Sequence, residues 1–221
     1  MRGSKFAVAL LLALPVVSSA QSQGGGRANS WDYSLGAIYQ LGETLKGKGG
    51  SSLDVDSEVG FGFGLGYNLT DRLALGADFN YLRPDYTAII TDADDPTVEQ
   101  RVDHTLTQFD FRFKGTYNFL DGPFTPFVEA GLGWTQLDSN VAKGPPVTGC
   151  WWHPYWGYVC SNYYRTFSGT DFAYGGSLGV RYAFKGGGFI RADYSLYKLD
   201  VGGQLGSPQL DAVKLQYGWN F

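Results

Sequence analysis

The only two cysteines of the chain, Cys150 and Cys160, bracket the stretch CWWHPYWGYVC. Five aromatics, Trp151, Trp152, Tyr155, Trp156 and Tyr158, fill the interval together with His153. Thiols, an imidazole and aromatic faces at this spacing suit a metal centre, a reactive pocket, a contact surface or a stapled loop. Cys150, His153 and Cys160 supply three zinc ligands at most, and a structural zinc takes four. The other histidine, His104, lies between Asp103 and Thr105 in no recognisable hydrolase pattern, and a nucleophile needs a positioned base. The run Gly42 to Lys48 begins like a phosphate-binding loop, but Gly49 stands where Ser or Thr would hold magnesium. Nothing here argues for a catalytic residue, a cofactor or a metal.

The compartment is readable at the N-terminus. Arg2 and Lys5 precede an apolar run, Phe6 to Val17, broken only by Pro15, and Ser18-Ser19-Ala20 offers small residues for cleavage. That is a secretory signal over 1–20, too short to span a bilayer, leaving one domain over 21–221. No cysteine follows the cut, so a lipoprotein is not expected. The chain holds 17 basic and 21 acidic residues. This acidic balance gives no reason to propose nucleic acid as a partner. In an exported protein Cys150 and Cys160 should pair as a disulfide, which rules against the metal.

The elements that carry these residues follow from alternation. In Val59 to Leu69 the odd positions read Val, Phe, Phe, Leu, Tyr, Leu and the even ones Gly, Gly, Gly, Gly, Asn. A period of two places successive side chains on opposite faces of a strand. The same period recurs in Trp31 to Leu41, Arg72 to Arg83, Thr105 to Phe119, Phe124 to Gln136, Phe172 to Phe184, Gly188 to Leu199 and the last residues up to Phe221. Eight strands of about ten residues result, with tight turns near 68–72, 120–123 and 185–187 and long polar loops near 42–56, 84–103, 138–167 and 200–209. Short turns on one side and long loops on the other predict an all-β, eight-stranded antiparallel up-and-down transmembrane barrel. A soluble barrel would have to pack Phe109, Phe111, Phe113, Trp134, Tyr194, Tyr217 and Trp219 into a lumen wide enough only for ordinary side chains. Facing lipid, the aromatics fall into a girdle at each end. The two charges on the apolar faces, Arg83 and Lys198, stand at loop-side ends where they can snorkel.

With its signal peptide, eight alternating segments and the ending LQYGWNF, nearly the whole chain resembles the small outer-membrane barrels of the outer membrane protein A and X type. The resemblance implies an integral, monomeric outer-membrane barrel in contact with outer-membrane lipid and lipopolysaccharide. It also implies that the barrel-assembly machinery reads Phe221 as an insertion signal. Because the chain stops at Phe221, no peptidoglycan-binding domain is expected after it. Lipid A-modifying enzymes exist on this scaffold, so that class stays open as an alternative. Asp92, Asp94 and Asp95 suit calcium or a divalent bridge to lipopolysaccharide, against the plainer reading of a solvated acidic loop.

The inward face should carry Glu58, Asp78, Asp110, Glu129 and Asp193 against Arg72, Arg112, Lys114, Arg181, Arg191 and Lys214. Two readings stand: a polar plug of paired charges, or a gated ion path through a small channel. The aromatic loop likewise has two, a minicore covering the barrel mouth or resting on the lipid headgroups, or a surface for an extracellular ligand. The expectation is a non-enzymatic barrel acting through structure and surface contact.

Overall fold

The computed structural model describes residues 26–46, 52–91, 99–142, 147–163, 166–201 and 208–221. Residues 1–20, expected to be a signal segment, and Asp92, Asp94 and Asp95 lie outside the described residues. Thirteen strands are present and, among the described residues, no helix. Eight of them close a barrel: β1 (Ser30–Gln40), β4 (Glu58–Asn68), β5 (Leu73–Leu82), β7 (Glu99–Asn118), β8 (Phe124–Ala142), β11 (Thr166–Ala183), β12 (Gly188–Asp200) and β13 (Gln209–Asn220). Each pairs antiparallel with its sequence neighbour in the wall, and β1 pairs with β13 to close the circuit. The seam ends in two backbone bonds between the terminal residue and the first strand, Trp31 N to Phe221 O at 2.8 Å and Phe221 N to Trp31 O at 2.9 Å.

The outward face is apolar and exposed. Phe61 is 63% accessible and Leu178 67%, values that no water-soluble fold sustains along eight strands. Aromatics cluster at the turn-side ends, where Trp31 meets Tyr67 at 5.0 Å and Tyr217 meets Trp219 at 4.5 Å. The turns at that end are short. Gly186 and Gly187, at φ of 110° and 88°, make the β11–β12 turn in a backbone region that side chains disfavour. Buried Arg27 ties two others together, donating to Asp71 O at 2.9 Å and Leu120 O at 2.7 Å. Arg72 and Asp121 bridge the same two turns in the open.

Three of the four long connections carry strands of their own. β2 (Glu43–Lys46), β3 (Ser52–Val55) and β6 (Asp85–Thr91) join the upper half of β7 as a second sheet. β7 runs for 20 residues and β8 for 19. A tilted strand crosses the bilayer in about ten, so the wall continues well beyond the membrane. Alternation persists but its sense inverts. Lower in β7, inward Asp110 and Arg112 are buried while Phe109 and Phe111 face out; higher up, Val102, His104 and Leu106 hold the inward positions and exposed Arg101 and Asp103 point away. Polar-in becomes apolar-in as the surrounding medium changes from lipid to water.

Because the terminal residue completes the seam, Phe221→Asp should lower the yield of inserted barrel. Unboiled protein in SDS should migrate away from its boiled form, and the variant should show less of that folded band. Equal folded fractions in both would remove Phe221 from the assembly argument.

Candidate functional site

Inward positions of all eight strands meet in a lumen that side chains fill. Lys114 lies at its centre, 2.8 Å from Asp78 and 3.3 Å from Glu129. Arg191 pairs with Glu129 at 2.7 Å, Lys214 reaches Asp78 at 3.5 Å, and Arg112 pairs with Asp110 at 3.2 Å. Arg181 closes on Asp32 from the far side of the barrel, with a second bond at 3.0 Å. Hydroxyls complete the shells: Thr116 and Ser177 donate to Glu129 at 2.5 and 3.0 Å, and Thr135 donates to Asp110 at 2.8 Å. The guanidinium faces rest on rings, Arg112 on Tyr197 at 3.7 Å, Arg181 on Phe189 at 3.8 Å and Arg191 on Phe127 at 4.2 Å.

Small residues make the crossing geometry feasible. A Cβ on Gly64 would sit 2.9 Å from Asp78 Oδ1, and one on Gly131 would sit 2.7 Å from the Tyr197 hydroxyl. The glycine row of β4, costly in an ordinary strand, leaves space for the inward side chains of its neighbours, Leu82 at Gly60, Asn80 and Ile38 at Gly62, and Asp78 at Gly64. At the loop end the lumen turns apolar, with Ile38, Leu82 and Ala212 packed together beneath the Gln40–Gln108 pair. At the turn end a void of about 30 Å³ remains between Asp32, Asn68, Lys114, Thr116 and Arg181. That is room for only one or two water molecules.

Of the eleven residues assigned to the lumen from alternation, the structure brings eight into ion pairs there or beside them. Asp193 is buried opposite Lys214 in the register, yet its Oδ1 meets no hydrogen-bond donor. Glu58 is half-exposed at the loop end of β4 and makes no ion pair among the described residues. Arg72 is a correction. It lies just before β5 starts and turns out to solvent, holding Asp121 at 2.8 Å and keeping that carboxyl below the usual carboxylate range through the hydrogen bond. Asp32 was the missing partner; its even position in β1 made it inward, but Trp31 and Tyr33 on either side mark the girdle and draw the eye. With Asp32 in and Glu58 and Arg72 out, five acids face five bases in the lumen, Asp32 being the least buried of them with its side chain 13% accessible.

Cys150 and Cys160 form a disulfide across the two-stranded hairpin of β9 (Val147–His153) and β10 (Gly157–Tyr163), where they are directly opposite. Trp152 and Tyr158 form the next cross-strand pair on the same face, each 71% accessible. Tyr155 and Trp156 at the turn are more exposed still, so these four do not form the buried minicore that was one of the two readings. The side chain of Trp151 lies outside the described set. His104 packs its ring 6.2 Å from Tyr86 within the extracellular sheet.

A closed antiparallel wall of eight strands, apolar outside and charge-paired inside, defines a transmembrane β-barrel. The chain belongs to the outer membrane protein beta-barrel domain family, whose model matches residues 6–221. It is an integral β-barrel of the bacterial outer membrane. No curated protein matches it by sequence. Among solved structures it is similar to Ail, the attachment invasion locus protein of Yersinia pestis, in complex with the heparin analogue sucrose octasulfate. There the identity is 13%, the coverage 88% of this chain and 99% of that one, and the TM-score 0.51. Neisserial surface protein A matches at 14% identity, 89% and 96% coverage and a TM-score of 0.50. Outer membrane protein OprG from Pseudomonas aeruginosa matches at 13%, 89% and 98%, again with 0.50. At these identities the likeness is one of fold.

Glu129 holds two cations, so removing it strips Arg191 of its ion pair and leaves Lys114 with Asp78 alone. Glu129→Leu should cost about 3–5 kcal/mol, read as a lower urea midpoint in detergent micelles. A midpoint within error of the parent would show that the network is not a unit. Thiol labelling of the unreduced protein should find no reactive cysteine.

Proposed function

We propose that this barrel is a non-enzymatic, non-conducting support for an extracellular contact surface. The observation that carries the reading is the balanced lumen, five acids against five bases, with a void of only about 30 Å³ at its turn end. A hydrated ion needs a continuous path, and here paired side chains and the Ile38–Leu82–Ala212 layer occupy it. The same packing makes the barrel a stiff base for what stands above it.

What stands above is acidic in general and neutral at one place. The segments 42–58, 83–107, 137–171 and 198–211 hold fourteen acidic and seven basic residues. The hairpin 147–163 holds no Asp, Glu, Lys or Arg. Its disulfide fixes the ribbon that presents Trp152 and Tyr158, so little ordering entropy is lost on contact. Ail takes a heparin analogue, a polyanion. An acidic surface of this kind repels such a ligand, and we assign the hairpin to an uncharged, aromatic-binding partner instead.

Planar-bilayer recording should show little or no steady conductance, and a large stable conductance would overturn the plug in favour of a small channel. A binding screen of the refolded barrel with and without residues 145–165 should lose its hits when the hairpin is removed. Cys150→Ser with Cys160→Ser should weaken the same hits and increase proteolysis between Asp138 and Arg165. Neither change should alter the mobility difference between boiled and unboiled protein. A shift in lipid A mass on expression would restore the enzyme class.

A further inference from the structure

The lipid-facing surface has a second concave feature, independent of the lumen and the hairpin. Across four neighbouring strands the residues Phe79, Phe111, Trp134 and Phe172 are directly opposite one another, an unbroken aromatic row. The next outward row toward the loops begins the same way, with Phe61, Tyr81 and Phe109 across β4, β5 and β7. It then changes character, continuing as Gln136 in β8 and Thr170 in β11. Where bulky rings give way to these shorter polar side chains a recess of about 300 Å³ opens, walled by Phe79, Phe109, Phe111 and Trp134, lipped by Gln136 and Thr170, and touched from within the wall by Asp110, which is itself buried and paired with Arg112.

We infer that this recess seats one acyl chain of lipopolysaccharide, with its amide linkage held by Gln136 and Thr170. The recess is at the loop end of the barrel, which places it in the outer leaflet. Its walls are apolar, so in a bilayer its occupant is hydrocarbon. Gln136 and Thr170 are exposed on that same face, and neither side chain makes a hydrogen bond among the described residues. An amide and a hydroxyl at the edge of hydrocarbon need partners. A bare chain offers none, whereas an amide-linked hydroxyacyl chain offers both donors and acceptors where it leaves the apolar region. Gln136 both donates and accepts, and Thr170 donates to a carbonyl or accepts from a hydroxyl. Asp138, an acid two residues further along β8 with the same parity as Gln136, accepts from Thr166 at 2.7 Å. It favours an uncharged linkage at the lip over a phosphate or a fatty-acid carboxylate.

The test uses barrel extracted from outer membranes in mild detergent, washed, and weighed by native mass spectrometry. The parent should carry one lipopolysaccharide per chain. Q136L/T170V keeps the recess apolar but removes both polar partners, and it should reduce that adduct at least tenfold. Thr170→Trp fills the recess and should abolish it. Both sets of changes face outward, and folded mobility in cold SDS reports whether each variant has inserted. No adduct on the parent, an adduct unchanged in Q136L/T170V, or a phospholipid in its place at equal stoichiometry would overturn the assignment. Because conductance and hairpin binding play no part in the readout, its outcome is separate from that of the plug.

Discussion

Hydrocarbon offers no hydrogen-bond partner to a backbone amide, and this constraint governs the molecule. A sheet with an open edge in the bilayer would leave a row of N–H and C=O groups unmet, each costing several kcal/mol. Closure of β1 on β13 removes the edge, and Trp31 and Phe221 complete it at the last possible pair. Closure at eight strands then fixes the width of the lumen. An interior this narrow is packed by side chains, so the question of function becomes which side chains those are.

Lipid outside selects apolar residues on one parity and leaves the other parity to be polar. Charged groups sequestered this way are stable only if each finds a counter-charge, since an ion pair broken on one side strands the other. That accounts for Glu129 serving both Lys114 and Arg191, and for Asp78 serving both Lys114 and Lys214. It also accounts for the glycines of β4, which supply volume to the side chains opposite. The inversion above the membrane follows from the same selection under a different solvent. Once water replaces lipid, Asp103 and Arg101 take the outward positions and pair there, with Thr87 and Arg101 holding the Asp103 carboxyl below its usual range.

Alternation made the barrel, its strand number and the lipid face legible, because period two survives in every wall strand. It assigned most of the lumen for the same reason. Arg72 went astray because parity says which face a residue is on but not how high it sits, and at a strand end an inward position opens onto water. Asp32 was passed over although its parity was right, since flanking aromatics were read as the whole message of that stretch. The extracellular sheet was missed for a different reason. β2, β3 and β6 are short and polar on their outer face, and pairing with the upper part of β7 rather than local propensity gives them their strand form. The cross-strand disulfide needed only two cysteines in an oxidising compartment, but the ribbon that places Trp152 beside Tyr158 depends on register, which spacing alone leaves open.

The division between a fixed wall and a variable rim has a functional consequence. Replacing a buried lumen charge disturbs the whole base, so chemistry that must adapt to a partner cannot be placed there at low cost. The hairpin is under no such restriction. Among the described residues its two strands form a sheet of their own, apart from the wall, and its disulfide supplies locally the rigidity that a packed core would otherwise provide. Contact surfaces of scaffolded folds concentrate on such segments because sequence can change there without loss of the fold. On the function proposed above, the interior serves the barrel's own stability and the rim serves recognition.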